Sequence, residues 1–137
     1  MKVHGSCHCG YITLEAEADP EKVSVCHCTD CQASTGSAFR VSVPIPGTQF
    51  KMKGQPTNYV KTTADSGNPR VQAFCPKCGS PIYSTTPGEG VQAFYMLRVG
   101  ILRERGELPP KRQNWFRSAW PWVTGMASLP KNEKGAA

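Results

Sequence analysis

Long apolar stretches are absent from this chain of 137 residues. No segment approaches the roughly 18 apolar residues that predict a membrane-spanning helix, and no apolar run precedes the first cysteines. Repeats at the period of a solenoid are also absent. These absences argue against a membrane protein or a repeat protein, and we expect a cytoplasmic protein.

Long helices have little room, because 12 prolines and 13 glycines interrupt the sequence. Short segments of alternating, β-branched or aromatic residues between them predict strands, at residues 11–16, 39–43, 48–52, 58–62, 71–74, 81–84 and 91–97. One helical turn is expected near residues 29–34. The length suits one domain. We predict a mostly β domain of short antiparallel strands over residues 1–130, followed by a disordered tail at 131–137.

Acidic residues are scarce: 10 Asp and Glu stand against 16 Lys and Arg, and the formal net charge is +6. An excess of basic residues ordinarily suggests nucleic acid as a partner. Zinc ligation deprotonates cysteine, so seven thiolates on two zinc ions would lower the charge to about +3. The remaining charge suits a small anionic ligand at least as well as nucleic acid.

What the chain does contain is seven cysteines in three tight clusters. In a reducing compartment such cysteines are more often metal ligands or redox groups than disulfides, and the odd count argues against a purely disulfide framework. A structural zinc takes four protein ligands, whereas a catalytic zinc keeps three and leaves one position open. Seven thiolates are enough for one site of each kind: two pairs, Cys7 with Cys9 and Cys75 with Cys78, and a triplet of Cys26, Cys28 and Cys31.

The two pairs favour a structural zinc with four thiolates. Residues i and i+2 of an extended segment face the same side, so Cys7 and Cys9 can reach one metal. A glycine follows each pair, Gly10 and Gly79, and glycine can turn with positive φ so that backbone amides face the sulfurs. Such a site would hold the amino-terminal strand to the hairpin at Cys75, and its binding free energy becomes folding free energy.

The triplet predicts an open zinc site, because Cys26, Cys28 and Cys31 offer three thiolates and no fourth. Closure by another protein ligand is the alternative, with His4, His8, His27 and Asp30 as candidates. An iron–sulfur cluster is a further alternative, although the usual four-cysteine spacings are absent. Zinc with three thiolates is a poor generator of hydroxide and favours exchange of soft ligands. The predicted chemistry is therefore addition of a substrate thiolate to an aldehyde, or the reverse.

The order and spacing of the clusters resemble the glutathione-dependent formaldehyde-activating family, which includes the centromere-protein-V-like proteins. The resemblance covers residues 5–10, 26–31, 34–36, 74–81, 113–118 and 121–122. It implies a mostly β zinc fold shared with a small Rab-GTPase chaperone. It also implies carbon–sulfur lyase activity, the reversible joining of glutathione and formaldehyde as S-hydroxymethylglutathione. The implied ligands are Cys7, Cys9, Cys75 and Cys78 for a structural zinc, and Cys26, Cys28 and Cys31 for a catalytic zinc. Where many relatives carry histidine before the aromatic residues of the tail, this chain has Gln113.

Further side chains are candidates for contact with the substrate. Basic residues can clamp the carboxylates of glutathione, and the candidates are Arg40, Arg70, Arg98, Arg103, Arg117 and Lys77. Hydroxyl or amide donors near the triplet can stabilise an oxyanion on the aldehyde, and the candidates are Thr29, Gln32, Ser34 and Ser37. Aromatic side chains either pack in the core or form a wall of the pocket, namely Trp115, Phe116, Trp120 and Trp122.

Two other functions compete with the enzyme hypothesis. The first is a non-catalytic zinc module for nucleic acid or a protein partner, since residues 109–115 have the basic and aromatic composition of a nucleic-acid groove. The second makes both metals structural, with histidine or water closing the second site.

Overall fold

The computed structural model describes residues 1–136 and shows the predicted mostly β architecture. The strands are β1 (Lys2–Ser6), β2 (Thr13–Glu17), β3 (Ser24–Cys26), β4 (Arg40–Pro46), β5 (Phe50–Lys53), β6 (Thr57–Lys61), β7 (Arg70–Phe74), β8 (Pro81–Thr85), β9 (Phe94–Arg98) and β10 (Arg112–Asn114). Helix α1 spans Thr29–Thr35, and 3₁₀ turns span Pro20–Lys22, Gly47–Gln49, Val99–Ile101, Arg105–Glu107, Phe116–Ser118 and Pro121–Ser128. None of the helices found in these residues is long and apolar enough to cross a bilayer.

The strands form two sheets. The smaller sheet has the order β1-β2-β5, and the larger has the order β10-β3-β4-β9-β8-β7-β6. Neighbouring strands are antiparallel throughout, except that β10 runs parallel to β3. The topology thus places β10, from near the carboxy end, beside β3, which ends in the first cysteine of the triplet.

The larger sheet has one apolar and one polar face. Side chains alternate between the faces of a strand, and paired residues share a face. Val43 pairs with Leu97 and Ala73 with Tyr83 on the buried apolar face, which packs in one core with Val3, Ile12 and Leu14 of the amino-terminal region. The opposite face carries polar residues from four neighbouring strands: Arg40, Ser42, Arg98, Ser84, Gln72 and Arg70.

The largest differences between the observed strand boundaries and the sequence-based prediction lie at two places, and the prediction lacks strands β1, β3 and β10. Strand β4 continues through Pro44 and Pro46, where the prolines predicted an end. The pairing with β3 extends only to Ser42, so the prolines lie where β4 has a partner on one side, and a missing N–H is tolerated there. The strand predicted over 91–97 begins at Phe94.

The carboxy-terminal residues 131–136 are exposed and have no regular secondary structure. Residue 137, the last of the predicted disordered tail, lies outside the described residues. The domain division at residue 130 and the disorder of the tail stay predictions.

Candidate metal centres and the adjoining pocket

Four of the predicted ligands meet where the β7–β8 hairpin approaches the loop after β1. The Sγ atoms of Cys7, Cys9, Cys75 and Cys78 all lie within 4.8 Å of one another. Cys9 Sγ is 3.6 Å from Cys7 Sγ and 3.7 Å from Cys75 Sγ. Sulfurs at the corners of a tetrahedron with Zn–S bonds of about 2.3 Å are about 3.8 Å apart, whereas a disulfide requires about 2.05 Å. The four-cysteine group therefore has the dimensions of a tetrahedral zinc site.

Backbone amides point at two of these sulfurs. Ile12 N donates to Cys7 Sγ at 3.2 Å, and Lys77 N donates to Cys75 Sγ at 3.4 Å. Amide donors stabilise the thiolate, which is the form that binds metal. The turns behind both pairs use the expected positive φ angles, 84° at Gly10 and 78° at Gly79.

The triplet lies at the junction of β3 and α1. Cys26 is the last residue of β3, Cys28 caps the amino end of α1 and Cys31 lies in its first turn. Cys31 N donates to Cys28 Sγ at 3.3 Å. The three half-buried sulfurs lie within 4.8 Å of one another. A short strand followed directly by a helical turn therefore brings three donors to one point.

Hydrogen bonds shift the acidity of thiols in both groups. Hydrogen bonding to Ser80 lowers the pKa of Cys78 to about 5. In the triplet, the hydrogen bond with Cys26 lowers the pKa of Cys31 to about 5; burial opposes this and the Arg40 guanidinium adds to it. The pKa of Cys26 is raised, first by its hydrogen bond with Cys31 and then by burial. Negative charge is thus favoured at Cys31 before any metal binds.

Among the described residues, no further Cys, His, Asp or Glu offers a ligand atom within 4.8 Å of all three triplet sulfurs. His27 Nε2 is instead 2.8 Å from Gln113 Oε1. Asp30 Oδ2 contacts Lys61 Nζ at 3.0 Å and accepts from Thr63 Oγ1 at 2.8 Å.

The remaining two candidates for a fourth ligand also lie elsewhere. His4 Nδ1 is 3.0 Å from Glu104 Oε2. The backbone amide of His8 donates to Ser80 Oγ, which places this exposed residue beside the four-cysteine group. None of the four proposed closing ligands therefore completes the triplet.

A cavity of about 850 Å³ opens at the triplet. Its floor is the polar face of the larger sheet, and its walls come from α1, from the β6–β7 loop and from the segment after β10. The lining residues beyond the cysteines include Thr29, Asp30, Ser34, Arg40, Lys61, Thr63, Asp65, Ser66, Arg70, Gln72, Ser84, Arg98, Trp115, Arg117 and Ser118. Metal donors and cationic groups therefore share one concave site.

The structure sorts the predicted substrate contacts. Four of the six basic candidates line the cavity: Arg40, Arg70, Arg98 and Arg117. Arg103 lies in a separate groove, and Lys77 Nζ is 4.3 Å from the centre of the Tyr11 ring. Thr29 and Ser34 line the cavity, whereas Ser37 is not among its lining residues.

Gln32, a predicted contact of the oxyanion, is not among the residues that line the cavity and instead links two segments of the backbone. Its Nε2 donates to His27 O at 2.8 Å and to Ser118 O at 2.9 Å, which joins α1 to the segment after β10.

Sequence reasoning missed the floor residues Gln72 and Ser84 and the wall residues Lys61, Thr63, Asp65 and Ser66. Strand alternation contains the signal for Gln72, which lies two residues from Arg70 on β7 and therefore on the same face.

Of the aromatic residues near the carboxy end, one lines the cavity and the others pack against neighbouring rings. Trp115 lines the cavity, and the Arg117 guanidinium lies 5.0 Å from the centre of its ring. Phe116 packs edge-on against His27, with ring centres 5.6 Å apart. Trp120 and Trp122 pack on each other at 5.4 Å.

Fold and site together define a small, mostly β protein with two groups of cysteines able to hold metal ions, one of them beside a cationic pocket. A sequence model of the family described as "Glutathione-dependent formaldehyde-activating enzyme" matches residues 2–118, and the chain belongs to this family. The match confirms the resemblance seen in the cysteine clusters. No curated protein matches the chain significantly. A crystal structure of a Rhodobacter sphaeroides protein has the same fold, with 20% sequence identity and a TM-score of 0.60 over 83% of this chain and 100% of that one.

Proposed function

We propose that this protein is a zinc-dependent carbon–sulfur lyase that joins a thiol to a small aldehyde, or catalyses the reverse reaction. The observation that carries the proposal is the position of the triplet, whose three sulfurs face a large pocket without a fourth protein ligand from residues 1–136. The family's description supports glutathione and formaldehyde as the thiol and the aldehyde.

The donor sets support zinc for both groups. Cys7, Cys9, Cys75 and Cys78 would hold a structural zinc, because four thiolates in a tetrahedron complete its coordination. Cys26, Cys28 and Cys31 would hold the catalytic zinc, which supplies a position where a substrate thiol loses its proton and keeps its nucleophilicity.

The reaction balances without an oxidant or reductant. The substrate sulfur forms a bond to the carbonyl carbon, the π electrons of the C=O bond move to oxygen, and the proton lost by the thiol ends on that oxygen. Thr29 and Ser34 line the pocket beside the triplet, and their hydroxyls are our candidates for donating a hydrogen bond to the developing oxyanion.

Other residues enclose and orient the substrate. Trp115 and residues 63–66 form parts of the wall and would restrict water around the reacting thiol. The charge of the Arg40 guanidinium favours the thiolate at Cys31. Arg40 would therefore act as a positioning residue for the metal ligand.

The proposal is tested with protein purified without chelator. Native mass spectrometry should find two zinc ions per chain, and exchange between free formaldehyde and its glutathione adduct, measured by NMR, should exceed the uncatalysed rate. Cys28→Ala should lose the acceleration and one zinc while keeping its fold by circular dichroism. Arg103→Gln, changed outside the pocket, should keep both. Full activity of Cys28→Ala would exclude the proposed mechanism.

A zinc module that binds nucleic acid is the alternative from another class. The exposed residues Lys111 and Arg112 lie in the basic and aromatic segment on which this alternative rests. Affinity for single-stranded or duplex nucleic acid that falls steeply with salt would favour it. Undetectable binding at low salt would remove it. The cytoplasmic location stays a prediction.

A further inference from the structure

Two buried guanidinium groups lie at the floor of the pocket, and neither has a carboxylate partner among the described residues. Arg40 is 7% exposed and Arg98 is 8% exposed. The ion pairs found in residues 1–136 include neither of them. A buried charge is costly unless it is paired. Arg40 lies beside Cys31, where its charge favours a thiolate, whereas the acceptors of Arg98 are uncharged. A negative charge from outside the chain would therefore complete the floor at Arg98.

The contacts of Arg98 hold its position without neutralising its charge. Its Nη1 donates to Ser42 Oγ at 2.9 Å, and its Nη2 donates to Gln72 Oε1 at 2.7 Å. Both acceptors are uncharged. The Nε atoms of Arg98 and Arg40 are buried and have no hydrogen-bond partner in the described part of the chain. Each guanidinium has five N–H donors, and Arg98 uses two of them in these contacts, so capacity for an anion remains.

Strand register places these groups in a row that starts at the metal donors. Cys26 pairs with Arg40 across β3 and β4, and Ser42 pairs with Arg98 across β4 and β9. Arg70 continues the row on β7, where its Nη2 donates to Ser84 Oγ at 3.4 Å. Strands are about 4.8 Å apart, so β9 lies about 10 Å from β3. A ligand that spans both positions is the size of a small organic thiol acid.

The charge balance of the whole pocket supports the same interpretation. Five cationic side chains line the pocket against two carboxylates, Asp30 and Asp65. Asp30 is already paired with Lys61. Three thiolates with one divalent ion carry a net charge of about −1, so a positive surplus remains. Burial, and then the neighbouring charge of Arg40, lowers the pKa of Arg98. A bound anion would oppose both effects.

We propose that Arg98, with Arg70 beside it and Arg40 between them and the metal donors, forms an anion site that takes a carboxylate of the thiol substrate. This inference rests on the proposed function and specifies its substrate class. The substrate is a thiol that carries a carboxylate within reach of β9 while its sulfur lies at the triplet. A neutral thiol of the same length leaves the guanidinium groups unpaired and binds more weakly.

The test compares two thiols of the same length, one ending in a carboxylate and the other in a neutral amide. Isothermal titration calorimetry of the zinc-loaded protein would measure the affinities of 3-mercaptopropionate and 3-mercaptopropanamide. A charge-assisted hydrogen bond is worth about 1.5–3 kcal/mol, so we expect the acid to bind about tenfold tighter or more. The ratio of affinities should fall towards one in Arg98→Met and should be reduced in Arg70→Gln. Arg103→Gln removes one positive charge outside the pocket and should leave the ratio unchanged.

The outcomes separate this inference from the proposed function. Equal binding of the two thiols to the unmodified protein, or an unchanged ratio in Arg70→Gln, would overturn the anion site and leave the thiol site intact. If neither of the two thiols bound the zinc-loaded protein, the proposed function itself would be overturned. Arg98→Met removes a buried side chain, so circular dichroism is measured with it. If this variant is unfolded, the ratio of affinities measured with Arg70→Gln decides whether the anion site exists, because Arg70 is only half-buried.

Discussion

The imidazole of His27 pairs with the side chain of Gln113, with 2.8 Å between His27 Nε2 and Gln113 Oε1. His27 is fully buried, and the rings of Phe39 and Phe116 each pack against it at 5.6 Å. An amide oxygen accepts, so His27 Nε2 carries the proton. His27 thus connects the junction of β3 and α1, which carries the triplet, to β10, and its ring is turned away from the metal donors.

Replacement of Gln113 tests this connection. Gln113→Leu would leave the buried N–H of His27 without an acceptor and should lower the free energy of unfolding by about 1–3 kcal/mol. Gln113→Glu retains an acceptor oxygen and serves as the matched control. Urea denaturation of the zinc-loaded proteins measures the difference. Equal stability of Gln113→Leu and the unmodified protein would show that the hydrogen bond contributes nothing.

The two metal groups should lose zinc in a fixed order. The triplet offers three half-buried donors beside a pocket, whereas the other group offers four, two of them buried. A chelator should therefore remove one equivalent rapidly with the fold retained, and the second slowly with loss of the fold, because structural zinc binding is coupled to folding. A metal-indicator dye and circular dichroism, followed together, measure both phases. Release of both ions in one step would contradict the assignment of different roles.

Serine in place of cysteine should separate the roles by position. Cys75 is fully buried in the four-cysteine group, and Cys75→Ser should unfold the protein or lower its melting temperature strongly, because a structural metal ligand is lost. Cys31→Ser changes the triplet and should keep the fold with one zinc lost. Thermal denaturation with metal analysis checks both variants. A folded Cys75→Ser protein that still binds two zinc ions would rule out its predicted role.

The ion pair of Asp30 and Lys61 should hold the β6–β7 loop against helix α1. The hydrogen bond from Lys61, followed by that from Thr63, lowers the pKa of Asp30. Its contribution to stability is thus present above the unfolded pKa of about 3.9 and is lost as pH falls through the lower folded value. A double-mutant cycle of Asp30→Asn and Lys61→Met should give a coupling energy of about 0.5–1 kcal/mol, unchanged between about pH 6 and 8.

Hydrogen exchange checks the consequence for the pocket wall. Amides of residues 62–66 should exchange faster in Asp30→Asn than in the unmodified protein, since the side-chain contacts from Asp30 to the wall are weakened. Lys111→Met, which removes a charge from the surface pair with Glu21, is the control. Identical exchange in Asp30→Asn would show that the pair does not hold the wall.

The backbone of Trp115 is in the left-handed region, with φ of 55° and ψ of 39°. Only glycine adopts this conformation without strain, which costs other residues about 1–2 kcal/mol. Trp115→Gly and Trp115→Ala both remove the ring from the pocket wall. The glycine variant should nevertheless be about 1 kcal/mol more stable than the alanine variant. Denaturant titration of the pair measures this difference, and a more stable alanine variant would contradict it.

Local patterns in the sequence were enough to predict the mostly β fold, the turn of helix that became α1 and the grouping of seven cysteines. Cys26, Cys28 and Cys31 lie in one short segment of sequence, so their spacing alone indicates that their sulfurs can reach the same metal ion. The turns at Gly10 and Gly79 are local for the same reason.

The pocket depends on pairing between distant segments. Arg40, Ser42, Gln72 and Arg98 meet because the register of β4, β9, β8 and β7 places them on one face. A shift of one residue would move each side chain to the opposite face. Parallel pairing of β10 with β3 likewise brings Gln113 to His27. The sequence by itself determined which donors can bind metal, and the tertiary structure alone decided which charges surround them, because register is set by non-local burial of the apolar face.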